Sequence, residues 1–214
     1  DDISIQKKGK EIAIFRTLRQ QLKKREGKSS IALSDFIAPK ESKKQDYMGA
    51  FCTAIFGADE LANKYKEQED DYNAIMAQAL ADRFAEALAE YLHKRVRTQH
   101  WGYASSEKLT NQELIKEDYK GIRPAPGYPA CPDHLEKETI WDLLDVEKQI
   151  GVRLTESMAM WPAAAVSGYY FGNEEAKYFG LGKITDDQVL DFATRKGISL
   201  EKARKWLYPV IADN

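Results

Sequence analysis

Residues 122–134 read Ile-Arg-Pro-Ala-Pro-Gly-Tyr-Pro-Ala-Cys-Pro-Asp-His, four prolines and a glycine around one arginine and one tyrosine. Proline fixes φ near −65° and removes a backbone donor, and each residue before a proline is pushed toward extended geometry. The stretch therefore excludes helix. By composition alone, such a segment is most often a surface connection. Its rigidity also suits ligand capture: an ordered ribbon loses little entropy on binding, and the fork of Arg123 matches a carboxylate or phosphate with two parallel hydrogen bonds.

The sequence on either side is mixed. Ile12, Ile14 and Phe15 predict a strand, and the run from Asp46 to Phe56, rich in aromatic and β-branched residues, predicts another; the two are expected to pair. From about Asp59 the period turns helical. Ile75, Met76, Ala79, Leu80, Phe84, Leu88, Tyr91 and Leu92 recur at spacings of three and four, which predicts one long amphipathic helix to about Arg97.

Downstream of that helix, Thr110 with Glu113 and Asp133 with Glu136 read as capping boxes, the second opening a helix that stops at Gly151. Two aromatic-rich segments between Ala165 and Gly182 flank Gly172-Asn-Glu-Glu175, the pattern of a β-hairpin. Thr185 with Gln188 predicts another capping box, and Gly197 and Ser199 separate two terminal helices. The fold class expected is α+β: an antiparallel sheet with helices packed around it and one long central helix. No Gly-x-Gly-x-x-Gly follows a strand, so a doubly wound, Rossmann-type nucleotide fold is not expected.

Length and composition fit one globular domain over residues 1–214, 43% of them apolar. The near balance of 32 basic and 34 acidic residues argues against a nucleic-acid binder, and the Lys7–Lys44 cluster, interrupted by acids, reads as a solvated face. Cys52 and Cys131 give no disulfide framework, and no long apolar run or signal peptide is visible. The expectation is a cytoplasmic protein with no membrane segment. Cys131-Pro-Asp-His134 has the gap of half a zinc site without a second Cys/His pair, so no metal is expected. A Cys131 nucleophile with His134 as base lacks an orienting third group. His134 is read instead as capping or lining a ligand groove, and Trp161 and Trp206 as core or interface aromatics.

The string Arg123-Pro-Ala-Pro-Gly-Tyr-Pro-Ala-Cys-Pro-Asp-His134 resembles the signature of the C-terminal activation domain of cobalamin-dependent methionine synthase, which binds S-adenosylmethionine. Further stretches resemble that family in the same order. They include Leu33-Ser-Asp-Phe-Ile-Ala-Pro39, Asp46-Tyr-Met-Gly-Ala-Phe51, Asp70-Asp-Tyr-Asn73, Ala79 to Tyr91, Trp101-Gly-Tyr103, Leu154 to Pro162, Val166 to Phe171 and Lys177-Tyr-Phe179. The chain begins at Asp1 without methionine in strand-like sequence, and the family's domain extends further upstream, so a piece cut from a larger multidomain enzyme is expected.

The resemblance implies a curved sheet with the nucleotide in a shallow groove. Arg123 would take its methionyl carboxylate, the backbone of Ala125 and Gly127 would approach it, Tyr128 would pack beside it, and Tyr178 and Phe179 would line the groove. Glu86, one turn after Asp82, matches a residue near the methionyl amino group. The implied function is presentation of the methyl donor for reductive remethylation of oxidised cobalamin during methionine biosynthesis. Cobalamin would be carried by a neighbouring domain and the electron supplied by a flavodoxin-like donor. No catalytic acid or base is expected, and the domain alone is expected to turn nothing over. The alternatives are a stand-alone reactivation module for another corrinoid methyltransferase and a noncatalytic interaction domain of the same fold.

Overall fold

A computed structural model describes residues 1–212. The chain divides into two compact units. The first comprises Asp1–Gly49, Lys120–Leu143 and the described residues from Tyr169; the second comprises Ala50–Tyr119 and Leu144–Gly168.

The first unit opens with β1 (Asp2–Lys7) and β2 (Lys10–Arg16), an antiparallel pair that sets Ile3 opposite Phe15. Lys8 and Gly9 both have positive φ, as a tight two-residue hairpin turn requires. This turn overrides the expected pairing of β2 with the segment around Asp46–Phe56, because closing a two-residue loop costs far less chain entropy than closing one of thirty. Phe15 meets Tyr169 edge to face at 4.9 Å, and Phe36 meets Phe171 at 6.2 Å. At the other end of this unit, α6 (Asp186–Lys196) and α7 (Leu200–Leu207) bury Val189, Phe192, Ala203 and Leu207 with Leu18, Leu181 and Ile184.

Gly197 at φ +70° ends α6, and the Ser199 hydroxyl accepts from the Lys202 amide at 3.1 Å to start α7, as the sequence predicts. The Thr185–Gln188 capping box does not form. The Gln188 N–H donates to the Thr185 carbonyl at 3.0 Å and its side-chain amide to Asp187 at 3.0 Å, while the Thr185 hydroxyl donates to Asp187.

In the second unit, β3 (Gly49–Ala54) pairs with β6 (Ala165–Tyr170), whose last two residues belong to the first unit; Ile55 N–H donates to Ala164 O at 2.9 Å. The expected single helix is two: α1 (Ala58–Glu67) and α2 (Asp71–Arg95). Glu69 takes a left-handed φ of +56°, and Asp70 restarts the helix by accepting from the Asn73 amide at 3.0 Å.

The large apolar side chains of α2 do not face the core. Ala81 and Ala85 are buried with Ala164, packed by Ile55, Ala58 and Val166, whereas Ile75 is 67% exposed and Phe84 61%. Small side chains let the helix backbone approach its neighbours closely, and the bulky stripe is left on the outside.

Beyond α2, a wider turn over Val96–His100 carries Arg97 into the interior. Its guanidinium donates to both oxygens of Glu107 at 2.8 Å and lies 4.2 Å from the centre of the Tyr119 ring. Next, α3 (Asn111–Ile115) opens with the predicted box: Thr110 N–H donates to Glu113 at 2.7 Å, and Glu113 N–H to the Thr110 hydroxyl at 3.3 Å.

The expected helix ending at Gly151 is broken by Asp145 at φ +52° into α4 (Glu136–Leu144) and α5 (Val146–Ile150), the latter stopping at Gly151 as predicted. Finally, β4 (Arg153–Leu154) and β5 (Met160–Trp161) pair antiparallel. Trp161 is half exposed rather than a core aromatic. The class is α+β, and among the described residues the strands are divided among three two-stranded sheets. Among the described residues, no helix is long and apolar enough to cross a membrane.

Candidate functional site

The ribbon at 122–134 lies in the first unit and is strapped at several points. Ile122 exchanges both backbone hydrogen bonds with Phe171, at 3.0 and 3.1 Å, and Tyr169 N–H donates to Pro124 O at 2.9 Å. The prolines cannot donate, so the ribbon is held through their carbonyls. Leu181 N–H likewise donates to Pro129 O at 2.9 Å.

Within the ribbon, residues 125–131 close on themselves. Tyr128 N–H donates to Ala125 O at 3.2 Å, Cys131 N–H to Tyr128 O at 2.9 Å and Gly127 N–H to Cys131 O at 2.7 Å. Gly127 has φ +95°, and a β-carbon on it would lie 2.2 Å from Cε1 of His134, so neither the conformation nor the space admits another residue. This turn presents Tyr128 to solvent, 60% exposed, and leaves Ala125 half-buried.

The second arm of the expected hairpin does not form a strand. Residues 176–183 spend their backbone groups on other loops: Gly180 O accepts from the Gln20 side chain at 2.7 Å, while Leu181 N–H serves Pro129. The segment nonetheless reaches the ribbon. Arg123 N–H donates to the phenol oxygen of Tyr178 at 2.9 Å, which joins the two segments. Phe179 is half-buried beside them, its ring 6.3 Å from Phe36.

Six of the seven residues singled out in the sequence, Arg123, Ala125, Gly127, Tyr128, Tyr178 and Phe179, thus lie on two segments of the first unit joined by hydrogen bonds. Glu86 lies on the exposed side of α2 in the second unit, one turn after Asp82, also exposed.

What fastens the ribbon to the body of the first unit was not legible in the sequence. Lys196, at the end of α6, reaches Asp133 Oδ2 at 2.8 Å and also pairs with Glu136; both carboxylates are almost fully buried. Burial raises the Glu136 pKa above 4.5 despite the opposing ammonium. Burial also pulls the Lys196 pKa down, but the two carboxylates outweigh it and hold the value above 10.5.

The predicted Asp133–Glu136 capping box is therefore absent. Asp133 accepts from the Leu135 amide at 2.9 Å, and Glu136 turns to Lys196 because a buried cation outcompetes a backbone amide. No short-range pattern links positions 133, 136 and 196.

Cys131 is buried, and burial pushes its thiol pKa well above 9.0, so it stays a thiol rather than a nucleophile. The ribbon carries the Arg123 guanidinium on a stiff backbone and the exposed phenol of Tyr128, while the space beside Gly127 is taken by the His134 ring. It offers no nucleophile–base pair, and its chemistry is that of holding a ligand with an anionic group and a flat ring system.

The family described as vitamin B12 dependent methionine synthase, activation domain, matches residues 1–197. A solved structure titled as the MetH reactivation domain bound to AdoHcy superposes with a TM-score of 0.96 at 52% sequence identity, covering the whole of this chain and 66% of its own.

Proposed function

The chain belongs to the family of the vitamin B12-dependent methionine synthase activation domain, and from that premise we propose that it holds S-adenosylmethionine on the surface formed by Arg123, Ala125, Gly127, Tyr128, Tyr178 and Phe179. The hydrogen bond between the Arg123 amide and the Tyr178 phenol is the observation that carries this reading, because it unites two segments that are distant in sequence. Arg123 pairs with the methionyl carboxylate, its fork supplying charge and direction. Gly127 and Ala125 admit the nucleotide against the backbone, and Tyr128, Tyr178 and Phe179 supply ring surface.

When bound, S-adenosylmethionine supplies an activated methyl group for reductive remethylation of oxidised cobalamin carried by a neighbouring domain, in a cytoplasmic methionine synthase served by a flavodoxin-like electron donor. The chain's own residues bind, orient and exclude water, which is the contribution positioning makes to such a transfer.

Calorimetric titration tests the site. Arg123→Ala is expected to weaken binding of S-adenosylhomocysteine or S-adenosylmethionine by about 2 to 4 kcal/mol, the scale for losing a charge-assisted pair. Unchanged affinity would remove Arg123 from the site. The isolated domain is expected to methylate no small-molecule acceptor, and turnover of one would contradict the reading.

A further inference from the structure

His134 closes the ribbon at the one point where its backbone is least constrained by proline. A β-carbon at Gly127 would meet Cε1 of His134 at 2.2 Å and each ring nitrogen at 2.7 Å, so the imidazole occupies the volume behind the glycine that a side chain would otherwise take. On its other side, Nδ1 of His134 lies 3.2 Å from the ammonium of Lys137, the latter largely buried at the start of α4. An ammonium has donors only, so Nδ1 is the acceptor and the ring is neutral with its proton on Nε2.

The charged neighbours favour that neutral form. Burial lowers the His134 pKa below 6.5, and Lys137 adds to the shift against the opposing pull of Asp133. Asp133 is itself engaged by Lys196, which it shares with Glu136. From α7 the ring faces Trp206, centroids 6.3 Å apart, with the Lys205 ammonium lying over that indole. A protonated imidazole would have no acceptor for Lys137 and would set two cations side by side.

We propose that His134 is a positioning residue: as a neutral ring it braces the Gly127–Tyr128 backbone in the conformation that receives the nucleotide, and protonation releases the brace. This rests on the reading of the ribbon as the nucleotide site. The sign follows from the charge: affinity is full above the His134 pKa and falls as pH drops through it, in the range below 6.5. The methionyl ammonium and carboxylate of the ligand do not titrate there, whereas burial shifts Glu136 upward from 4.5, toward that range.

Two measurements test the proposal. The first is calorimetric titration of S-adenosylhomocysteine from pH 8 to pH 5.5 for the unaltered chain, His134→Gln and Arg123→Ala, each shown folded by its thermal transition. The unaltered chain is expected to lose affinity progressively as pH falls below 6.5, by less than about tenfold per pH unit. His134→Gln, uncharged throughout, is expected to give a flat profile and to bind more tightly than the unaltered chain at pH 5.5. A His134→Gln profile that parallels the unaltered one assigns the titration to another group such as Glu136 and sinks the brace alone. Undiminished affinity in Arg123→Ala, or no binding by the unaltered chain, sinks the site reading instead.

The second measurement needs no ligand. The Gly127 amide resonance is expected to titrate with the His134 ring protons and to be pH-independent in His134→Gln. A Gly127 amide that ignores the ring's titration would refute the brace whatever the calorimetry shows.

Discussion

Replacing Lys196 by methionine probes the fastening of the ribbon directly. In the native chain, one ammonium serves two buried carboxylates, Asp133 at 2.8 Å and Glu136. Methionine keeps the volume and removes the charge, which leaves two anions in a site too dry to solvate them. One of them must take a proton. Glu136 is the first destination, because burial already raises its pKa above 4.5 with the ammonium present.

Counted from that ordinary value of 4.5, proton uptake costs about 3.4 kcal/mol at pH 7 and about 0.7 kcal/mol at pH 5, at about 1.36 kcal/mol per unit. The pH 7 figure falls within the range of about 3 to 5 kcal/mol found when one member of a buried pair is removed. Urea unfolding at the two pH values should show a loss of about 3 kcal/mol at pH 7 that shrinks by about 2 kcal/mol or more at pH 5. Adding Glu136→Gln to Lys196→Met should recover most of the pH 7 loss. A Lys196→Met loss below about 1 kcal/mol at pH 7, or one equal at both pH values, would show that the cluster is hydrated and the reasoning wrong. The alkaline side gives the opposite sign: Lys196, its pKa held above 10.5, stabilises the native chain below that value and stops doing so as pH rises through its folded pKa, a loss the variant should lack.

Other expectations concern the second unit. Glu107→Ala takes both short carboxylate contacts from the buried Arg97 guanidinium, leaving Glu90 at 4.0 Å and the face of the Tyr119 ring, and should lower stability by about 3 kcal/mol in urea unfolding; an effect under about 1 kcal/mol would mean that Arg97 is reached by water. On α2, Ala85→Leu should cost about 1 to 3 kcal/mol by overpacking, while Phe84→Asp should change thermal stability little, since Phe84 is 61% exposed. The reverse ranking would turn the helix over.

Much of the local structure was legible because the physics is local. Thr110 and Glu113 cap α3, Ser199 caps α7, and Gly151 and Gly197 stop their helices through interactions spanning a few residues. The failures have a common form. Asp133 with Glu136 and Thr185 with Gln188 have the spacing of capping boxes, yet a buried ammonium from position 196 claims the first pair and a nearer carboxylate claims Thr185.

The α2 period was read correctly as amphipathic, but hydrophobicity by itself points the wrong face inward. The buried alanines are chosen by close backbone approach, which only packing decides. Similarly, the aromatic segment after Asn173 has strand composition but no ladder, because its carbonyls and amides find partners at Gln20 and Pro129.

What the amino-acid sequence determined on its own was the α+β class, the stiffness of the 122–134 ribbon, and an arginine on it whose fork matches an anion. Those follow from dihedral limits and side-chain chemistry that each residue carries wherever it is placed. The tertiary structure alone decided that Tyr178 reaches the Arg123 amide, that His134 stands behind Gly127, and that Lys196 holds Asp133 and Glu136. Each of these is a contact between segments brought together by core packing, where the stability of a pair depends on the water excluded around it, a quantity with no period or spacing along the chain.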